Sequence, residues 1–181
     1  MRFAVDYPPE LWAAMPDPAA GSDELWIAEQ RAAFAGGPFA DRGELFERAA
    51  REALARRRAG VDTSLLFRPT ELPMTGVVHA VLLSDPEASA RTVDDWLPDP
   101  ATLLVDPAVS EFETDAFEHG FRIAYVLKER FADGSPKTGF VYGLIGAGIV
   151  GTVFSEPAIQ EVTGTMQLYT DPVVGSLRTA A

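Results

Sequence analysis

The sequence contains no cysteine and only two histidines, His79 and His119, in 181 residues. Disulfide frameworks, thiolate zinc sites, iron–sulfur clusters and cysteine nucleophiles are therefore excluded. A histidine-rich metal site or a histidine-based hydrolase relay has little to draw on. Basic residues are also scarce: 15 Lys and Arg stand against 27 Asp and Glu, a formal net charge of −12. Generic binding to nucleic acid or to an anionic membrane surface needs a basic face, so neither is expected. Long apolar runs are missing as well. The longest, Phe140–Phe154, has 15 residues, four of them Gly, and falls short of the ~20 that a transmembrane helix needs. No apolar stretch of signal-peptide type follows Arg2, so no secretory signal is read there and a cytoplasmic location is expected.

What is present reads as one ordinary globular domain over residues 1–181: 47% hydrophobic, 23% charged and 10% aromatic, enough to build one sizeable core. Residues 20–60 are rich in Ala, Arg and Glu and read as helical, whereas 100–156 are rich in Val, Ile, Phe and Thr. Phe3, Val5 and Tyr7 alternate with Arg2, Ala4 and Asp6 as an opening strand that Pro8-Pro9 stops. Ser22-Asp23-Glu24 starts a helix that Gly36-Gly37-Pro38 ends. Asp41, with Glu44 three residues on, predicts the cap of a second helix whose apolar stripe is Leu45, Phe46, Ala49, Ala53 and Leu54. Arg56-Arg57-Arg58 complements its C-terminal dipole before Gly60.

Strands follow at Val61–Phe67 and Gly76–Leu83. Ser84, Pro86 and Glu87 then predict a short helix through Leu97. Further strands are read at Thr102–Val105, Ser110–Phe117 and Phe121–Phe131. His119-Gly120, Asp133-Gly134-Ser135-Pro136 and Gly146-Ala147-Gly148 supply the turns. Short, regular spacing argues for an antiparallel meander sheet packed by helices, and so for an α+β fold.

One motif points elsewhere. Gly146-Ala147-Gly148-Ile149-Val150-Gly151 is a literal G-x-G-x-x-G after an apolar run, and Asp171 lies 20 residues past Gly151, behind the strand-like Met166–Tyr169. In a dinucleotide-binding unit the glycines admit the pyrophosphate and the acid takes the ribose hydroxyls. The segment that would have to be the phosphate-binding helix, 148–164, holds Gly151, Pro157 and a run of β-branched residues, which disfavour helix. The competing reading is two strands, Thr138–Ile145 and Ile149–Ser155, joined at a glycine turn.

Other polar groups have two readings each. Glu111, Glu113 and Asp115 at alternate positions of a strand share a face and are candidate ligands for a hard cation. They serve equally as a solvated face, with Phe112, Thr114 and Ala116 turned inward. His79 shares strand parity with Val77, Val81 and Leu83, which suits a buried or pocket-lining imidazole. A catalytic base would need a partner that the sequence does not place. Arg56, Arg57 and Arg58, together with Glu113 and Glu118, are the candidate interface residues.

Phe121-Arg122-Ile123-Ala124-Tyr125 resembles the strand that begins the central hairpin of PsbP-like domains. Ile149-Val150-Gly151-Thr152-Val153-Phe154-Ser155-Glu156-Pro157 looks like their late strand, and Tyr169–Arg178 is similar to their closing helix. Phe3–Pro9 followed by Trp12 is compatible with their opening strand. The resemblance covers about a third of the chain. It implies an α/β/α sandwich with an antiparallel sheet and an accessory, assembly or binding role, and it carries over no site residue.

The leading expectation is a non-catalytic accessory or binding protein that engages a protein partner and uses no cofactor. The alternatives are a nucleotide-dependent oxidoreductase using Gly146, Gly148, Gly151 and Asp171, and a small-ligand pocket between sheet and helices lined by His79.

Overall fold

In the computed structural model, residues 2–35 and 37–180 are described, without the side chains of residues 2, 3, 179 and 180. Nine strands and three α-helices follow one another: β1 (Arg2–Ala4), β2 (Trp12–Ala14), α1 (Asp23–Ala32), α2 (Gly43–Ala55), β3 (Thr63–Phe67), β4 (Gly76–Ser84), β5 (Ala108–Glu111), β6 (His119–Arg130), β7 (Pro136–Gly146), β8 (Ile149–Ser155), α3 (Gln160–Gly175) and β9 (Arg178–Ala180). Seven strands make one sheet in the order β2-β3-β4-β8-β7-β6-β5, with every neighbouring pair antiparallel. β1 pairs only with β9, outside that sheet.

The expected meander is therefore two meanders, β2-β3-β4 and β5-β6-β7-β8, joined where β4 meets β8. Strand alternation gives the sheet two faces. On one, Leu65, Val78, Val153, Tyr142 and Leu144 bury against Met166, Val173 and Val174 of α3. On the other, Leu66 and Val77 bury against Trp26 and Ile27 of α1 and Ala50, Ala53 and Leu54 of α2. Further along that second face, Trp96 and Ala88 cover Ile123 and Ile145. The antiparallel sheet has helices on both faces, and the fold is α+β.

Several local expectations are corrected. Asp41 does not cap α2: it lies in a 3-10 turn, Ala40–Arg42, and Arg42 holds the cap position without a side-chain bond. Leu45 points to solvent, and the buried stripe is Phe46, Ala50, Ala53 and Leu54. Gly36 of the expected α1 stop and the side chain of Phe3 lie outside the described residues. Between Ser84 and Leu97 there is no α-helix, only 3-10 turns at Ala88–Ala90 and Val93–Trp96. The chain is extended at Arg91, and a Thr92–Asp95 capping box starts the second turn, which delivers Trp96 to the sheet. Thr102–Val105 contributes one isolated bridge, Leu103 to Leu127, in place of a strand. Met166–Tyr169 belongs to α3, whose buried face overrides the poor helix propensity of its Thr and Gly residues.

Trp96 explains one glycine. Its indole donates to Thr152 Oγ1 at 2.8 Å and lies flat over Gly143, where a Cβ would run into the ring. The bond to Thr152 leaves the ring nowhere to go. Gly143→Ala is expected to lower stability by about 1–3 kcal/mol through overpacking, read as a lower urea midpoint with an unchanged m-value.

Candidate functional site

The most chemically suggestive side chains lie across the seam between the two meanders. His79 sits in mid-β4 on the face that carries α1 and α2, cross-strand from Ser64 of β3 and Phe154 of β8. It is completely buried, and Ser64 is 7% exposed. Ser64 Oγ lies 2.7 Å from His79 Nδ1, and His79 Nε2 lies 3.2 Å from Glu156 Oε1. Glu156 directly follows β8, and its backbone N–H donates to the Val77 carbonyl at 2.8 Å. Arg58, just past α2, donates from Nε to the same carboxylate oxygen at 2.6 Å. Its guanidinium also lies over the Phe154 ring, 5.4 Å from the centroid.

The bond from His79, aided by Arg58, pulls the Glu156 carboxyl down to about 2, against the opposing effect of burial. An ionised carboxylate only accepts, so His79 Nε2 carries the proton donated to Glu156, and in that tautomer Nδ1 accepts a hydrogen bond from the Ser64 hydroxyl. Hydroxyl, imidazole and carboxylate in this order are the parts of a nucleophile relay. Here they are walled in. The cleft that Ser64 borders, about 540 Å³ between Pro16–Pro18 and Arg57–Ser64, reaches a nearly closed serine. No face of the imidazole meets solvent. The interior space bordered by His79 on the α3 side amounts to about 10 Å³, roughly one water probe and far below ligand size.

The sequence names His79 but neither of its partners, because Ser64 and Glu156 are 15 and 77 residues away. Only the strand register brings them together.

The other sequence-derived candidates separate. Gly146–Gly151 is a tight β7–β8 hairpin: Gly146 ends one strand, Gly148 turns at φ 73°, and Gly151 packs on Leu144. The next helix begins only at Gln160. The helix N-terminus that would hold a pyrophosphate is absent from this segment. Asp171 lies on α3, where it accepts from the Tyr142 hydroxyl at 2.5 Å and from Arg122 at 2.8 Å. Burial, then the bond to Asp171, pushes the Tyr142 hydroxyl pKa up, so this trio locks α3 onto the sheet.

The expected strand Ser110–Phe117 ends at Glu111. Glu113 and Asp115 stand in a loop, because Phe112 turns inward to meet the Tyr142 ring and Phe117 buries. His119-Gly120, expected as a turn, opens β6, and Phe112 N–H bonds the Gly120 carbonyl at 2.8 Å. Glu111, Glu113 and Asp115 border one open cleft of about 770 Å³ with Glu118 and His119, but among the described residues no three His, Asp or Glu side chains form a group that could hold a metal ion.

The arginine cluster is largely spent internally. Arg57 binds Asp23 through two bonds of 2.9 and 2.7 Å, and Arg58 binds Glu156. Of the three, Arg56 is exposed and makes no ion pair among the described residues. Glu113 follows β5 and Glu118 precedes β6, toward the other edge of the sheet from α2.

At that far edge lies a feature the sequence reading missed. Leu104, Val105 and Val109 are exposed along the outermost strand and the segment before it. At the same flank, on the α3 face, Leu168 is 71% exposed. The strand segment Ala108–Ser110 lines a groove of about 420 Å³ there, with Arg122, Ala124, Gln167 and Leu168. Five acids, Asp106, Glu111, Glu113, Asp115 and Glu118, occupy the same stretch of chain. Its cations are already engaged: Arg122 with Asp171, and Lys128 with the Ala101 carbonyl.

Fold and site together define an α+β protein with an antiparallel sheet between helices. Among the described residues no helix is long and apolar enough to cross a membrane. No family model and no curated protein matches the chain. A solved structure from Bacteroides thetaiotaomicron VPI-5482 is similar at a TM-score of 0.47 and 11% identity. The similarity covers 99% of this chain and 45% of that one, so this chain spans less than half of its length.

Glu156 generates an acid-stability prediction. Its folded pKa lies below the ordinary value of 4.5, so between about pH 4.5 and 2 the unfolded chain binds more protons and acid favours unfolding. The stabilisation is complete above that window and lost as pH falls through it. Glu156→Gln is expected to cost about 1.5–3 kcal/mol at neutral pH and to flatten the stability–pH profile across that window, measured by urea unfolding at each pH.

Proposed function

We propose that the protein is a non-catalytic, cytoplasmic accessory protein that engages a protein partner. One observation carries this reading: catalytic-type polar groups are consumed within the sheet, while apolar side chains are left exposed on both faces of one sheet edge. Ser64, His79 and Glu156 satisfy one another, with His79 fully buried and Ser64 and Glu156 only 7% and 12% exposed. Leu104, Val105, Val109 and Leu168 have no such cover, and apolar surface rimmed by charge is typical of protein-binding sites. The resemblance to PsbP-like domains, with their accessory and binding roles, supports the same reading. The glycine hairpin offers no helix N-terminus to the oxidoreductase alternative, and the interior space beside His79 is only about 10 Å³.

Two measurements test it. Purified protein is expected to show no turnover of ester, phosphoester or nicotinamide-coupled substrates. A rate of about 1 s⁻¹ or more that vanishes in His79→Ala would overturn the reading. A photo-crosslinking amino acid at position 109, introduced in the native host, is expected to give one discrete protein adduct that the same probe at Leu25 on α1 does not give. No adduct at position 109, or the same adducts at both positions, would count equally against it.

A further inference from the structure

We propose that β5 accepts an extended, Lys- or Arg-containing segment of the partner as an eighth strand of the sheet. This rests on the partner-binding reading and names the mode of binding and the chemistry of the occupant.

Backbone geometry supplies the first argument. In an antiparallel ladder, successive residues alternate between bonding the neighbouring strand and pointing away from it. Phe112 N–H bonds Gly120 and Leu104 N–H bonds Val126, and β5 pairs Ser110 with Arg122 and Ala108 with Ala124. The even-numbered residues therefore face β6. Val109 and Glu111 direct their N–H and C=O groups outward, where no strand follows β5. These are open donors and acceptors for an added strand.

Side chains on both faces of the edge fit an occupant. An added strand would place alternate residues over the groove beside Leu168 and Arg122 and, by strand alternation, beside the Val109 side chain on the opposite face. The two ends of the sheet differ. At β2, three residues long, the Ala14 carbonyl is already taken by the Trp26 indole at 2.8 Å.

Charge selects the partner. The acids at 106, 111, 113, 115 and 118 flank the open groups, and the whole chain carries −12. A second copy would bring the same net charge to the contact. A basic segment complements it, and its lysine or arginine stems can lie along Leu104 and Val105 while their charges reach the carboxylates.

The probes are two blocked fluorescent hexapeptides, one alternating Lys with Val and one alternating Glu with Val, titrated by anisotropy into the full chain. The Lys–Val peptide is expected to bind, more weakly as salt is raised, and the Glu–Val peptide at least about tenfold more weakly. Val109→Pro removes one outward N–H without breaking the β5–β6 ladder and is expected to lower affinity about tenfold. Leu168→Lys, at an exposed helix position that leaves the fold intact, is expected to weaken the Lys–Val peptide and serves as the second variant should the proline disturb folding.

Equal binding of the two peptides would overturn the proposal. So would a Lys–Val affinity that is unchanged in both folded variants, because non-specific attraction to an acidic protein is blind to Val109→Pro. Sedimentation showing a dimer that Val109→Pro dissolves would assign the edge to a second copy. An adduct from a probe at position 105 that persists unchanged when Val109→Pro is introduced leaves partner binding standing and removes strand addition. Loss of every adduct, with peptide binding retained, does the reverse.

Discussion

The β4–β8 pairing holds the two halves of the molecule together. Seven residue pairs, from Val78–Ser155 to Ser84–Ile149, zip the N-terminal meander to the C-terminal one. The intervening chain leaves β4 at one side of this seam and re-enters the sheet at its far edge as β5. Without the seam neither α1 and α2 nor α3 would have a continuous surface to cover, since three- or four-stranded pieces leave much of each face open. Val78, Ala80 and Leu82 on one side of β4 supply the floor for α3. Val77 on the other supplies part of the floor for α1 and α2.

The same seam contains the buried imidazole. A slip of one residue in β4 would turn His79 from Ser64 and Glu156 toward the apolar surface shared by Val78, Ala80 and Val153. An unpartnered polar ring there costs on the order of 1–3 kcal/mol. The hydrophobic pattern alone penalises such a slip only through its alternation, which is soft here because β4 is apolar on both faces. The Ser64–His79–Glu156 contacts span β3, β4 and the end of β8, and they add a register signal that the apolar residues lack. Arg58 extends the network to the helical layer, so the end of α2 is tied to the sheet by charge as well as by packing. Arg68 makes a comparable tie at the other end of β3. It is 8% exposed, donates to the Gln30 side chain at 2.5 Å and to the Pro9 carbonyl at 3.1 Å, and burial lowers its pKa.

Much of the fold was legible where local chemistry and tertiary context agree. α1, α2, β3, β4 and the β7–β8 hairpin carry periodic apolar residues bounded by Gly or Pro, and their expected bounds lie within a few residues of the observed ones. Legibility failed where a long-range anchor overrules a local signal. Ser84–Leu97 has helix-start residues, but the chain must reach Gly143 with Trp96, and two 3-10 turns accomplish that. Glu111–Asp115 alternates as a strand should, yet Phe112 and Phe117 pull the chain into a loop. α3 contains Thr163, Gly164 and Pro172, and only its burial against β7 and β4 makes it a helix. At the candidate sites the sequence identified residue types but not neighbours. His79, Asp171 and the three arginines were visible, and every one of their partners except the carbonyl of the nearby Leu54 lies at least 15 residues away.

The open edge follows from the same two-meander topology. Joining the meanders through β4 and β8 puts the short first strand of each at the outside, β2 on one flank and β5 on the other. Open sheets ordinarily blunt such flanks with lysine, proline, bulges or covering loops. The β2 flank follows that rule, with three strand residues, Pro16 and Pro18 just beyond, and a tryptophan indole on the last carbonyl. The β5 flank follows it only in part: Pro107 precedes the strand, but Val109 lies exposed at its centre and no lysine stands within it. Negative charge takes the place of lysine here. On the strand-addition proposal, it would keep identical, equally acidic chains apart while leaving the edge attractive to a basic one. An edge guarded by charge of one sign is protected against its own kind and selective toward the opposite, which separates a recognition surface from an aggregation hazard.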